Sequence, residues 1–363
     1  NRRTGFILTL VVITIIIGSV SLLYVAGRHY SSVYAFNESV YSMQQGKAVD
    51  ELEKQVESAY QLSTSDVFAR RIAEYQLARM NELMSRTTPT TEEQQQFQNA
   101  SVMGVNAAQQ AIQIDALEPS NWSVLGGIYG VLSSVGVEGA QERAIEALTK
   151  ARDLNPKNPL PYLESAIVEA RAGNYVGART YIEKAISLKS NYTEAFFLLS
   201  QLEIATGNVE AAIQSTQAVI SLEPQNPARY YQLGVLESSR KNVAGAVPAF
   251  ERAIALDTNY ANARYLLALA YDELGRSADA KLQLEAVLAL NPGNTEVTTL
   301  INVINTEGSL KSLRAGANMT VNEAEPVTNE NGTVSTTQDS GTSLVTPINT
   351  APKVETEEEE AAQ

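Results

Sequence analysis

The chain contains no cysteine, one histidine and one tryptophan among 363 residues. Without cysteine there is no disulfide, no thiolate nucleophile, no Cys-ligated zinc or iron–sulfur centre and no lipid-modified N-terminal Cys. His29 alone excludes paired-His metal sites such as HExxH and leaves little for a Ser-His-Asp triad; beside an apolar run it reads as an interfacial residue. Positive charge is also scarce, with 27 Lys+Arg against 41 Asp+Glu and a net charge of −14. A nucleic-acid binder needs a basic face to neutralise phosphates, so nucleic acid is not an expected partner. Neighbouring carboxylates such as Asp272 and Glu273 sit at adjacent helix positions and do not face one another. No catalytic residue, metal, cofactor or small-molecule substrate is expected, and the chain reads as a non-enzyme.

The acidity is unevenly placed. Residues 315–363 hold nine carboxylates and one lysine, Lys353, which leaves −6 for everything before them. That segment is rich in Thr, Asn, Glu, Gly and Ser and lacks the apolar surface to offset ordering entropy, so it is expected to be a disordered, solubilising tail. Six N-x-Ser/Thr triplets, beginning at Asn37, Asn99, Asn121, Asn191, Asn318 and Asn331, carry no weight, since several fall inside predicted helices.

At the other end Phe6–Val25 runs without a charge. Twenty residues at ~1.5 Å each span a hydrocarbon core of ~30 Å, which predicts a single transmembrane helix over 6–25 in contact with the lipid bilayer. A cleaved signal peptide is the competing reading, though its apolar region is normally shorter. Arg2 and Arg3 precede the span and Arg28 alone stands close behind it. The positive-inside bias puts residues 1–5 in the cytoplasm and the rest on the extracytoplasmic side. The chain begins at Asn1 and not at a methionine, which fits either a processed product or the C-terminal part of a longer polytopic protein.

The middle of the chain repeats. Leu117, Leu154, Leu188, Leu222, Leu256 and Leu290 end successive helical patterns, the last four intervals all being 34 residues. Proline stands two residues later at 119, 156, 224 and 292, where it stops a helix. Ala144, Ala178, Ala212, Ala246 and Ala280 keep the same period, as do Ala151, Ala185, Val219, Ala253 and Val287. Gly173, Gly207 and Gly275 mark mid-unit turns, with Lys241 in the equivalent place, and Asn174, Asn208 and Asn242 come next. Glycine and asparagine tolerate the left-handed conformation that ends a helix.

These residues resemble the tetratricopeptide (TPR) repeat, a 34-residue helix–turn–helix. Trp122, Leu125, Gly126 and Tyr129 reproduce the first part of its motif. Leu233, Gly234, Ala246, Phe250 and Ala253 match in a later unit, and Leu267, Ala268, Tyr271, Gly275, Ala280 and Pro292 in the next. The resemblance implies an all-α, TPR-type solenoid, a right-handed superhelix with five repeats over 118–294. Divergent helical pairs over 30–117 would precede it and a capping helix over 295–307 would close it.

In that family the fifth, ninth and twelfth positions of each first helix face the inner groove, and the groove binds a protein or peptide. Carried over, these positions give Leu163, Phe197, Gln201, Tyr231, Tyr265 and Asp272 as partner-binding residues, with Asn262 beside them; packing on the neighbouring unit's first helix is the competing reading for each aromatic. The aromatics one position earlier, Tyr162, Phe196 and Tyr230, go to the core. The Lys/Arg pattern that clamps a peptide carboxylate is missing, with Leu160, Glu194, Ala228 and Asn262 at the second position. The expected function is a membrane-anchored, non-catalytic scaffold. The layout is also similar to bacterial membrane proteins whose last span leads into a TPR region, including the segment Tyr260–Tyr265. That resemblance implies the alternative, the C-terminal recruitment region of an O-antigen ligase or polysaccharide polymerase.

Overall fold

The computed structural model describes residues 2–45, 47, 49–86 and 88–316. The expected tail lies outside the described residues except for its first two. Among the described residues there are sixteen helices and no strand. They are α1 (Arg2–Gln44), α2 (Val49–Leu62), α3 (Asp66–Met84), α4 (Thr91–Ile114), α5 (Pro119–Ser134), α6 (Ala140–Leu154), α7 (Leu160–Arg171) and α8 (Tyr175–Leu188). After these come α9 (Thr193–Ala205), α10 (Val209–Leu222), α11 (Pro227–Ser239), α12 (Val243–Leu256), α13 (Ala261–Glu273), α14 (Ser277–Leu290), α15 (Thr295–Glu307) and α16 (Lys311–Gly316). Two compact units divide within α8, Asn1–Lys184 and Ala185–Gln363.

In the first unit α1 is longer than the charge-free run from which it grows. It continues unbroken through Gly27 to Gln44, so no linker separates its apolar half from its packed half. That far half lies on α2, burying Ser32, Ser39 and Ser42. Phe36 meets Phe68 of α3 with ring centroids 4.9 Å apart. At the level of Arg28 the guanidinium donates to the Gln61 carbonyl at 2.8 Å, closing the end of α2. Inside the α2–α3 layer a polar cluster replaces the usual hydrocarbon: the buried Gln76 amide donates to Glu53, and Arg79 pairs with Glu53 at 2.9 Å. Before α4, Thr90 and Glu93 form a reciprocal capping box, each side chain accepting from the other's backbone N–H. Leu52, Val56, Phe68, Met80, Ala108 and Ile128 lie at the centre of the core.

In the second unit each helix packs on the next: α9 on α10, α10 on α11, α11 on α12, α12 on α13, α13 on α14 and α14 on α15. The close approach within a pair rests on small residues. A Cβ on Gly234 of α11 would lie 2.5 Å from the fully buried Phe250 ring of α12. Ser200 fills the equivalent place in α9, its hydroxyl 2.8 Å from Thr216 of α10, and Ala268 fills it in α13. Such paired helices cannot hide their apolar stripes alone, so stacking is the source of stability.

The turns share one plan. Gly173, Gly207, Lys241 and Gly275 all have positive φ, at 79°, 74°, 63° and 79°. At each, the next residue's N–H bonds back five residues: Asn174 to Glu169, Asn208 to Glu203, Asn242 to Glu237 and Arg276 to Tyr271, all at 2.8–2.9 Å. The positive-φ residue itself bonds back three. This is the Schellman arrangement, which satisfies carbonyls that a helix end leaves open. Two of the asparagines also tie down the carboxylate five residues before them, Asn174 to Glu169 at 2.9 Å and Asn242 to Glu237 at 2.8 Å.

Candidate functional site

The first-helix positions assigned to a groove fall into two groups. Phe197 and Gln201 on α9, Tyr231 on α11 and Asn262 on α13 are half-buried, so part of each meets solvent. Leu163, Tyr265 and Asp272 are buried, at 2%, 8% and 0% exposure. Leu163 also belongs to the first unit, while the other six belong to the second.

Tyr265 is buried because α15 covers the last repeat: the ring lies in one apolar cluster with Val297 and Leu300, and the hydroxyl donates to Glu296 at 2.7 Å. Burial and this carboxylate raise the phenol pKa above its ordinary range. Asp272 holds the segment just beyond α15. Its carboxylate accepts from the Ser277 hydroxyl at 2.7 Å, the Ser309 hydroxyl at 3.2 Å and the Leu310 backbone N–H at 3.0 Å. Tyr265 and Asp272 are thus engaged inside the second unit, and Leu163 is buried within the first. A position that faces outward in an open stack turns inward where a closing helix lies on it or a side chain is recruited to a cap.

The exposed aromatics are engaged from one side. Arg229 lies over the Phe197 ring at 4.2 Å and is itself held by Glu223 at 3.1 Å. Tyr231 packs between Tyr260 and Phe250, with centroids 5.2 Å and 6.1 Å away. Burial, then the neighbouring Tyr231 and Asp257, push the Tyr260 phenol up to about 12. Tyr260 is therefore a neutral donor throughout the physiological range.

Sequence reasoning misplaced the fourth position. Tyr162, Phe196 and Tyr230 are half-buried and not in the core. The polar side chains here reach back six residues to a loop carbonyl: Trp122 to Ala116 at 2.9 Å, Tyr162 to Pro156 at 3.5 Å, Tyr230 to Pro224 at 3.2 Å and Arg264 to Thr258 at 3.0 Å. Trp, Tyr and Arg share only an N–H or O–H donor on a long arm. Phe196 has no such donor. Asn121 was missed as well. It is completely buried and joins three helices, donating to the Ala111 and Asp115 carbonyls at 3.2 and 2.8 Å and accepting from Arg70 at 2.7 Å. An Asn directly before the repeat tryptophan was its only trace in the sequence.

Two tetratricopeptide repeat family models match the chain, one over residues 169–234 and 239–304, the other over 141–193. No curated protein matches it. Among solved structures, yeast Tom70 is 16% identical, with 80% of this chain and 56% of that chain covered and a TM-score of 0.46. A tetratricopeptide repeat protein from Parabacteroides merdae is 15% identical, covering 76% and 98%, with a TM-score of 0.45. YrrB, described as a TPR protein with an unusual peptide-binding site, is 19% identical, covering 54% and 97%, with a TM-score of 0.43. Likenesses this distant carry nothing about binding.

Proposed function

We propose that the tetratricopeptide repeats act as a protein-interaction scaffold, with the half-exposed surface of Phe197, Gln201, Tyr231 and Asn262 as the contact for an extended or helical peptide. The observation that carries it is a 34-residue repeat, matched by the family models, that sets the half-buried aromatics Phe197 and Tyr231 at equivalent places on successive first helices. Aromatic anchors with a few polar contacts are the usual chemistry of peptide recognition. Because the four side chains carry no charge and Arg229 is paired with Glu223, the surface suits an apolar or amide-rich segment over a strongly acidic one. The test is a displayed peptide library selected on the full chain. A shared binding sequence that weakens at least tenfold on combined Phe197→Ala, Gln201→Ala and Tyr231→Ala is expected. Unchanged binding in that variant, with its helicity retained, defeats the assignment.

We further infer that α1 anchors the scaffold in a bilayer through residues 6–25, with the repeats on the extracytoplasmic side. Its apolar stretch Val11–Ser31 is exposed at every residue, unlike a soluble core helix. Cleavage as a signal peptide near Val33–Ala35 would cut the helix that packs on α2. Resistance to alkaline carbonate extraction and protease access from one side only test the two parts separately. The layout, one apolar helix running directly into the repeats, also suits the C-terminal region of a glycan ligase or polymerase. Reading the gene upstream of Asn1 for further spans decides that alternative.

A further inference from the structure

Beyond the span, α1 keeps a bare face. Ser32, Ser39 and Ser42 point into α2, with Ala35 and Phe36 beside them. On the opposite side Tyr30, Val33, Tyr34, Asn37, Val40 and Tyr41 are all exposed, the three tyrosines at 75%, 63% and 58%. Of Arg28, His29 and Glu38, the first lies away from that face and the other two border it, His29 one turn before Val33 and Glu38 one turn from Tyr34 and Tyr41. With Val25 at the end of the span, Tyr30–Tyr41 rise roughly 7–24 Å above it at ~1.5 Å per residue, beyond the hydrocarbon. A water-exposed helix normally places charge there, so three turns of Tyr and Val form an unpartnered surface.

The spacing of that face identifies its occupant. Tyr30 and Asn37 are seven apart, Val33 and Val40 are seven apart, and Tyr34 and Tyr41 are seven apart. These are the a, d and e places of a heptad, with a lone Asn at one a position. The same register runs back through the span as Ile16, Ser19, Leu23 and Ala26, exposed on the same side and including small residues that let two membrane helices approach. Copies inserted in one bilayer are parallel and at equal depth, so identical turns meet. Asn37 then faces Asn37, the pairing by which a single a-position Asn fixes a parallel two-stranded register. Three largely exposed tyrosines, each able to bury about 150–250 Å², with two valines, bring the buried total for a pair near the ~1,000 Å² of a specific interface before the span is added.

We propose that this face is a self-association surface: two copies of the chain pair through α1 in parallel, about a two-fold axis beside Tyr30, Val33, Asn37 and Val40, and so present two sets of repeats side by side. The proposal rests on the membrane reading of α1. The absence of native cysteine makes a clean test possible. Single cysteines placed one at a time from residue 30 to 41 in the full chain are oxidised in membranes, and each sample is also washed with alkaline carbonate. Disulfide-linked dimer is expected to peak at 30, 33, 37 and 40, at least fivefold above 31, 35 and 38. Val33→Arg combined with Val40→Arg should lower the dimer fraction at least tenfold with the helical signal unchanged. Carbonate-resistant chain that gives no dimer, dimer without that periodicity, or a cross-linked band containing another protein overturns the pairing. Release of the chain by carbonate overturns the anchor instead, and a heptad pattern persisting in that released chain would keep the pairing alone.

Discussion

The two units solve the same packing problem with different chemistry, and one position shows it. Sixth in the first helix of its repeat, Gln232 of the second unit reaches the preceding first helix and donates to Ser200 at 3.2 Å. The equivalent repeat position in α7 of the first unit, 68 residues earlier, holds Glu164, also turned towards the preceding first helix, beside Ser123 of α5. Part of its stem meets solvent, but Oε2 is sealed and has no hydrogen-bond partner. Burial pushes its carboxyl up to about 8, and the Ser123 hydroxyl offsets this only in part. An amide is at home between two helices where a carboxylate is not, because only the carboxylate must give up its charge to remain there.

The sharpest way to break this difference is to give the first unit its sister's residue. Between the ordinary pKa of 4.5 and about 8 the folded chain keeps a proton on Glu164 that the unfolded chain releases. Stability is then fully present below about pH 4.5, falls across this window and levels off above about 8. At ~1.4 kcal/mol per pKa unit the loss is on the order of 5 kcal/mol. Glu164→Gln should remove most of that slope, as read from denaturant midpoints between pH 5 and 8, and raise stability at pH 8. An unchanged slope in the variant would show that the carboxylate is hydrated after all.

A second contrast concerns what joins the helices. Asn121 is a buried hub joining three helices of the first unit, whereas the paired helices of the second unit meet through small residues repeated at 200, 234 and 268. Asn121→Ala leaves two carbonyls and the partly buried Arg70 short of partners, and should lower stability by about 2–3 kcal/mol. In the second unit Gly234→Ala drives a methyl into the buried Phe250 ring, which has no free end to swing away. Overpacking of that kind costs about 1–3 kcal/mol, and the further exchange Phe250→Leu should recover part of it. Calorimetry of the three variants checks both. An additive double mutant at 234 and 250 would mean that the two side chains do not meet.

How much of this was legible depends on whether a contact repeats. The period of 34 exposed the helix pairs, the small positions and the turns, because Gly173, Gly207 and Gly275 do the same task each time. The need to cover a last apolar face is what suggests a closing helix, and α15 packs on α14. Contacts made once left no period to read. Asn121 looked like any N-x-Ser triplet, and the Glu53–Gln76–Arg79 cluster like helix surface. Continuity of α1 through Gly27 was hidden because a glycine with open space around it neither breaks nor marks a helix. At the fifth position nothing in the repeat distinguishes Tyr265 from Tyr231, yet α15 and Glu296 bury the first while the second stays half-buried.

The smallest expected effect tests the regularity itself. Lys241 occupies the left-handed position that glycine holds in the three sister turns, at a φ of 63°. Its neighbours do what theirs do: the Asn242 N–H reaches Glu237 and the Asn242 side chain accepts from Gly245. The turn is therefore formed despite the side chain, and the Cβ carries a strain of about 1–2 kcal/mol. Lys241→Gly relieves that strain but frees the unfolded chain, an opposing contribution of roughly 0.4–1 kcal/mol. A net gain of about 0.5–1 kcal/mol should remain, raising the denaturant midpoint without changing its slope. The reverse change, Gly207→Lys, should lower it by a similar amount. Equal and opposite shifts would show that these turns are interchangeable modules, whereas a loss in both variants would mean that the Lys241 side chain makes its own contribution to the second unit.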